Sequence, residues 1–379
     1  MKTTLGKACE RLSSGKAIRS ADVCTQGTFP VMGGNGLRGY SETKNFSGEC
    51  AIIGRQGAAC GNVRYFRGDG YMTEHAVVVQ ATKENNTHYL AYLLSMMNLG
   101  RLSGQSAQPG LSVKTLSQQE IDLPSLDRQN AVVKLLGAFD DKIDANARLN
   151  DYLLELLLAK YDQLFGAFDA DKCDGTLSDV GEIVGGATPS KAKEEYYCHD
   201  GIGWITPRDL SNTTDMFIAH GADDITQAGY DSCSAKLLPK GSVLFSSRAP
   251  IGYLAIASGD VATNQGFKSV VPNPEVGTAF VYCFLCRNKQ RIADMGAGTT
   301  FPEVSGKTMK NVELAVPDAA DCKELSEFSA PILNMLEINE RENRELAELR
   351  DALLPKLMSG EIDVSKVDVT QLNNHLNGQ

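Results

Sequence analysis

Two stretches of this chain carry an apolar rhythm that runs far beyond an average helix. From about Asp127 to Phe165, apolar residues fall at 132, 135, 136, 139, 143, 149, 153, 156, 157, 161 and 164, the three-and-four spacing of a broad stripe on one helix face. Asp127 is placed to cap the start, and Gly166 to supply the left-handed turn that ends it. A second stretch runs from about Asp321 to Met358 and stops at Ser359-Gly360. Its later part, Glu337 to Arg350, has the Leu spacing and the Asn/Glu/Arg surface of an antiparallel coiled-coil partner. At 1.5 Å per residue, a helix of roughly 38 residues spans about 57 Å.

The rest of the chain has a different texture. Residues 1–122 are Gly-rich, with short apolar runs at Ala51-Ile-Ile-Gly and Ala76-Val-Val-Val that predict strands, and a helix over Tyr89–Asn98. Residues 173–315 repeat this texture, with runs at Ser242-Val-Leu-Phe and Lys268-Ser-Val-Val and a helix near Ala279–Ile292. The fold class that follows is mixed α/β (α+β): head 1–122, long helix 123–172, head 173–315, long helix and tail 316–379.

The second half also repeats the first at an offset of 193 residues. Pro109, Ser112, Lys114 and Thr115 recur as Pro302, Ser305, Lys307 and Thr308, and Pro124 recurs as Pro317. Asp144, Asn146, Arg148, Asn150, Leu153 and Leu156 recur as Glu337, Asn339, Arg341, Asn343, Leu346 and Leu349. Leu5 matches Leu177 at an offset of only 172, so the heads have diverged more than the helices. Two copies of one module predict a pseudo-two-fold arrangement suited to a target with two separated halves. An ordinary helical hairpin explains the stripes, but not one long helix after each head.

Composition changes this picture little. Hydrophobic content of 42% and charge content of 22% are those of a globular protein. No apolar run approaches the roughly 18 residues that span a bilayer, and the start lacks a signal-peptide stretch, so the expected location is cytoplasmic. The ten cysteines form no disulfide framework, and Cys283-Phe-Leu-Cys286 reads as part of a buried helix rather than a metal site. The net charge of −10 is uneven: residues 1–115 carry 13 basic and 7 acidic groups, whereas 316–379 carry 6 and 13. Whole-chain charge therefore does not exclude a local DNA-binding face.

Several segments, in this order, resemble the specificity subunits of type I restriction-modification systems. They are Gly185-Gly-Ala-Thr-Pro-Ser190, Trp204-Ile-Thr-Pro-Arg-Asp-Leu210, Val243-Leu-Phe-Ser-Ser-Arg-Ala-Pro-Ile-Gly252, Ala262-Thr-Asn-Gln-Gly266, Phe301-Pro-Glu-Val-Ser305 and Val312-Glu-Leu-Ala-Val-Pro317. Weaker versions stand in the first half at Ile52-Ile-Gly-Arg55, Thr73-Glu-His-Ala76, Ile121-Asp-Leu-Pro124 and Leu126-Asp-Arg-Gln129. The resemblance covers nearly the whole chain. It implies a non-catalytic subunit whose two target-recognition domains each read half of a bipartite double-stranded DNA site. It also implies long spacer helices that set the gap and dock two DNA-methyltransferase subunits, with restriction/translocase subunits as further partners. S-adenosylmethionine would belong to the methyltransferase, and ATP and Mg to a restriction partner, with no cofactor in this chain. Heads on such a rod could reach major-groove segments one turn apart, roughly 34 Å.

Contact candidates follow from side-chain chemistry: Arg and Lys for phosphate and guanine, Asn and Gln for adenine, Ser and Thr for either. In the first head these are Arg38, Lys44, Arg55, Gln56, Arg64, Gln105, Gln108 and Lys114. In the second they are Thr188, Ser190, Lys191, Arg208, Arg248, Asn264, Gln265, Thr299 and Lys307. Arg248, after a strand and inside Ser-Ser-Arg-Ala-Pro, is the strongest; Asn264-Gln265 serves either a turn or a contact. Trp204 reads as core, and the repeated Pro-x-x-Ser-x-Lys as a local structural cap.

Two other classes stand beside this reading. One is a DNA methyltransferase or nuclease with its own recognition domains. The sequence lacks an Asn/Asp-Pro-Pro-aromatic loop and a Gly-x-x-x-x-Gly-Lys-Ser/Thr phosphate loop, and its five histidines show no paired spacing. The other is a helical scaffold whose heads bind proteins, which the basic first head disfavours and the acidic second head allows.

Overall fold

The computed structural model describes residues 1–103, 110–298 and 302–366. They form two compact units. The first comprises Met1–Ile143 with the chain from Glu345 onward, and the second comprises Asp144–Arg344. Each unit therefore combines one head, the first part of the long helix that follows it, and the last part of the other long helix.

In the first unit a six-stranded sheet runs in the order Cys9–Ser14, Ala76–Ala81, Phe46–Gly54, Val63–Met72, Phe29–Gly33, Gly36–Ser41. Its pairings are antiparallel except that of Phe29–Gly33 with Val63–Met72. Strand alternation divides the apolar residues between two faces. Ala51, Ile53, Val77 and Val79 pack against helix Thr87–Ser95 and against Val132, Leu135, Leu136 and Phe139 of the first long helix. Cys50, Ile52 and Val78 fill a smaller core on the opposite face with Met72.

The second unit has a five-stranded sheet ordered Gly181–Gly185, Lys268–Pro272, Val243–Ser247, Ile251–Ala257, Phe217–Ile218. Helix Gly277–Asp294 covers one face, and its Phe280 and Phe284 join Phe245, Val270, Leu157, Tyr161, Leu325 and Leu336 in one core. The Cys283 thiol is buried in that core, and burial pushes its pKa up. A shorter parallel pair, Gly203–Ile205 with Val261–Thr263, carries Trp204 into a satellite core.

The repeat recurs in detail. Lys2–Thr4 pairs with Glu120–Asp122, and Gly175–Thr176 pairs with Glu313–Leu314, so each head's first strand meets the strand that leads to its long helix. Ser112 Oγ accepts from the Thr115 N–H (2.9 Å), and Ser305 Oγ from the Thr308 N–H (3.0 Å). The repeated Ser is thus a helix N-cap in both copies.

The long helices span Leu126–Phe165 and Ala319–Ser359. The first starts one residue before Asp127, so Asp127 sits in the first turn, where its charge suits the helix N-terminus, instead of capping. Gly166 and Gly360 both adopt left-handed backbone at the ends, which a Cβ would disfavour. The second helix contains Pro331 and Pro355, each of which removes one backbone donor from its ladder.

In the second unit the two helices run antiparallel, held by Lys160–Glu324 (2.5 Å) and by buried asparagines. Asn146 Nδ2 donates to Asn343 Oδ1 (2.9 Å), and Asn339 Nδ2 donates to Asn150 Oδ1 (2.8 Å). In the first unit they also run antiparallel: Arg350 donates to Asp140 (2.7 Å), and Arg128 reaches the Leu357 carbonyl. Asp140 also accepts from Tyr92. Burial raises the Asp140 pKa, but hydrogen bonds from His88, Tyr92 and Arg350 outweigh it and hold the carboxyl below its usual range.

The second head docks on its helix through Glu340, which is 5% exposed. Its carboxyl accepts from the Met216 and Phe217 N–H groups (2.6 and 2.9 Å), flanked by Arg344–Asp215 and Lys240–Glu337. Burial outweighs those bonds and pushes the Glu340 carboxyl up to about 7 from its ordinary 4.5. The folded protein therefore holds this proton where the unfolded chain releases it. The associated stability is present below pH 4.5 and is lost as pH rises through about 7. Denaturant unfolding of wild type and Glu340→Gln across pH 4–8 should diverge in that window; parallel curves would contradict the assignment.

Candidate nucleic-acid interface

Five stretches of the second unit, 188–197, 204–212, 222–223, 248–249 and 264–266, converge on one cleft of about 820 Å3. It is lined by Thr188, Lys191, Arg208, Asn212, Asp223, Arg248, Asn264 and Gln265, among others. Six of the nine residues selected in the second head by side-chain chemistry thus lie together, although they span nearly eighty positions of sequence.

Each loop is fixed by its own chemistry. Thr206 and Asp209 form a capping box around Pro207, which starts the short helix Pro207–Ser211 and leaves Arg208 exposed. Asp209 also accepts from the Ala222 N–H (2.9 Å), so its carboxylate is consumed by backbone. Ser246 Oγ donates to the Pro250 carbonyl (2.8 Å) and accepts from the Tyr253 N–H (2.7 Å), closing the turn around Arg248. Ser247 ties the same turn to Gly266 through its N–H (2.7 Å) and its hydroxyl.

Arg248 extends from this pinned turn, its side chain 38% exposed, 3.8 Å from Glu303. A half-exposed pair at that distance contributes about 0–1 kcal/mol, so a ligand can exchange it. Asn264 Oδ1 accepts from the Gly266 N–H (2.8 Å) and so stabilises a turn, while the exposed Gln265 accepts from Thr188. Trp204 is buried and donates to the Ala187 carbonyl (3.0 Å), forming the wall behind Thr188.

The cleft offers donors from Arg, Lys, Asn and Gln, and acceptors from Asp223 and the amide oxygens. Such a mixture matches the donor and acceptor pattern of base edges. Ser190 is exposed outside the lining, and Lys307 lies in a separate groove with Lys268 and Lys310. Thr299 lies outside the described residues.

The first unit does not gather its candidates in the same way. Arg38 and Gln56 line a hollow of about 430 Å3 with Asn35 and His75, and Gln56 meets His75 Nδ1 at 3.1 Å. Arg64 lines another hollow and lies against Gly36, where a Cβ would come within 3.2 Å of its Nε. Lys44 pairs with Asp69 (2.7 Å), and that hydrogen bond holds the Asp69 carboxyl below its usual range. Arg55 is half-buried, 3.4 Å from Ser14 Oγ, with its Nε unpartnered. Lys114 is exposed beside the Ser112 cap, and Gln105 and Gln108 lie outside the described residues.

Sequence reasoning missed Asn212, Asp223, Lys268, Glu303 and His75. Lys268 begins an apolar run and Glu303 sits within a quoted segment, but only the fold shows that Glu303 meets both Lys268 (3.5 Å) and Arg248. Among the described residues, no group of three or more His, Cys, Asp or Glu side chains could hold a metal ion, and no helix is long and apolar enough to cross a membrane.

A family model described as the type I restriction modification DNA specificity domain matches residues 2–155 and again 171–348. The type I restriction enzyme MjaIX specificity subunit of Methanocaldococcus jannaschii is 36% identical over 176 residues, 46% of this chain and 40% of its own. The EcoprrI specificity subunit of Escherichia coli is 45% identical over 112 residues, 30% and 28% of the two chains. These matches span well under half the length of those relatives. A crystal structure of the S subunit of a type I restriction-modification system from M. genitalium has the same fold, with a TM-score of 0.60 at 17% identity over 94% of this chain and 95% of that one.

The geometry separates support from contact. Ser246→Ala should destabilise the second unit by about 1–2 kcal/mol in urea unfolding, because it strands the Tyr253 N–H. Arg248→Ala should stay within about 0.5 kcal/mol of wild type. Equal costs would mean that Arg248 is structural.

Proposed function

The chain belongs to the family of type I restriction-modification DNA specificity subunits, and on that premise we propose that it is a non-catalytic, sequence-specific reader of double-stranded DNA. It recognises a bipartite target, one half through each head, and directs partner methyltransferase and restriction subunits to that site. The observation that carries this reading is the second-unit cleft, where Arg208, Arg248, Gln265 and Thr188 converge from separate loops onto one surface. Arg248 and Arg208 suit guanine or phosphate, and Gln265 suits adenine.

The first unit reads its half-site with Arg38, Gln56 and Arg64 as the exposed groups around its hollows. The chain supplies no catalytic group and holds no cofactor. S-adenosylmethionine resides in the methyltransferase partner, and ATP and Mg in a restriction partner. It acts in the cytoplasm, where DNA and these partners meet.

Partner docking uses the long helices. On the first, Leu149, Tyr152 and Leu156 are exposed at helical spacing, and Met335 and Ile338 are exposed on the second. Exposed apolar rows on helices whose surface is otherwise acidic favour a protein partner over phosphate.

Methylome sequencing of cells that express this chain with its methyltransferase tests the reading. A bipartite motif methylated on adenine should appear, and replacing residues 1–122 with another head should change one half only. A continuous motif, or a change in both halves, would overturn the two-reader account.

A further inference from the structure

Beside the cleft, the second unit carries another concavity, of about 710 Å3, lined by Thr176, Ser178, Gly185, Lys268, Lys307 and Lys310. The two hollows differ in charge. Lys191, Arg208 and Arg248 face Glu194, Asp209 and Asp223 in the cleft, so its formal charges cancel. The groove has three lysines and no acidic residue in its lining. Asp179, whose Oδ2 accepts from the Thr176 N–H (2.7 Å) and hydroxyl (3.0 Å), lies outside that lining. Lys307 and Lys310 are exposed and form no ion pair among the described residues.

The two hollows are continuous in the chain. Gly185 pairs with Lys268 where two neighbouring strands end, and both line the groove. Three residues after Gly185 comes Thr188, and three before Lys268 comes Gln265, and both line the cleft. Glu303 stands between, with one oxygen 3.5 Å from Lys268 and the other 3.8 Å from Arg248.

A phosphodiester presents acceptors and negative charge and no donors, so carboxylates repel it and ammonium groups hold it. A base edge presents both kinds of group, and a charge-balanced wall can match it. We infer that the Lys268–Lys307–Lys310 groove grips backbone phosphates of the same duplex whose base edges the adjoining cleft reads. This deepens the DNA-reading function proposed above and rests on it. Affinity and register come from the groove, and sequence discrimination from the cleft.

The test uses the full chain assembled with its methyltransferase, and two duplexes of equal length, one carrying the methylated motif and one scrambled. Anisotropy titrations across a salt series give the slope of log affinity against log salt. The paired variant Lys307→Ala with Lys310→Ala should flatten that slope by about 1.8 on both duplexes, from roughly 0.9 per phosphate contact, with their affinity ratio unchanged. Lys307→Arg with Lys310→Arg should keep the wild-type slope, and Lys→Glu at both positions should weaken both duplexes further.

An unchanged slope in the alanine pair would overturn the inference, as would a collapsed affinity ratio, which would make the lysines base readers. A thermal shift caused by inorganic phosphate at matched ionic strength, lost in the alanine pair while the DNA slope stays constant, would assign the groove to free phosphate and overturn it too. Failure of the underlying DNA-reading function shows separately, as wild-type protein without preference for either duplex.

Discussion

The paired asparagines between the long helices set the terms for the second unit. Asn146 bonds Asn343, and Asn339 bonds Asn150; shifting either pair by 193 positions gives the other. The internal two-fold repeat is thus written into two hydrogen bonds. Asn146 and Asn339 are buried, so a slip of the helices by one turn would leave amide groups unpaired, at about 1–3 kcal/mol each. Buried Asn is a known device for fixing helix register. That register puts Glu340 opposite the Met216 and Phe217 N–H groups, Arg344 opposite Asp215, and Glu337 opposite Lys240. The edge of the second sheet is held to the helix by those contacts.

Under the proposed function, the two hollows of the second head separate affinity from discrimination. A surface basic enough to hold DNA by charge alone would hold any DNA. Lys307 and Lys310 in the groove have no ion-pair partner among the described residues, Lys268 beside them meets Glu303, and in the cleft three cations stand with three carboxylates. The side chains that face the cleft extend from turns pinned by Ser246, Ser247, Asn264 and Asp209. Under the proposed function, rigid turns would keep the geometry of reading independent of the weak ion pairs that a bound duplex displaces.

Much of the architecture was legible in the sequence because its signals are long. A 3.6-residue period sustained over some forty positions leaves little choice but a helix, and the 193-residue offset shows which parts correspond. What the offset cannot show is which parts touch. Each compact unit takes the end of the other head's helix, so Leu346 and Leu357 lie in the core of the first head and Leu157 and Tyr161 in that of the second. In the cleft, Arg248 and Arg208 stood out through their segments, whereas Glu303 gains its role only by lying between two cations. The first head, with weaker segments, gave candidates that the fold scatters: Lys44 on Asp69, Arg55 half-buried, Arg38 and Arg64 in different hollows.

The most direct measurement is photo-cross-linking from single 5-iodouracil substitutions placed in either half of the methylated motif, with the attached peptides identified by mass spectrometry. One half should cross-link to segments 186–191, 246–250 and 263–267 of the second head, and the other half only to the first head. Cross-links from both halves to the same head, or from neither half to the cleft loops, would contradict the assignment of one head to each half.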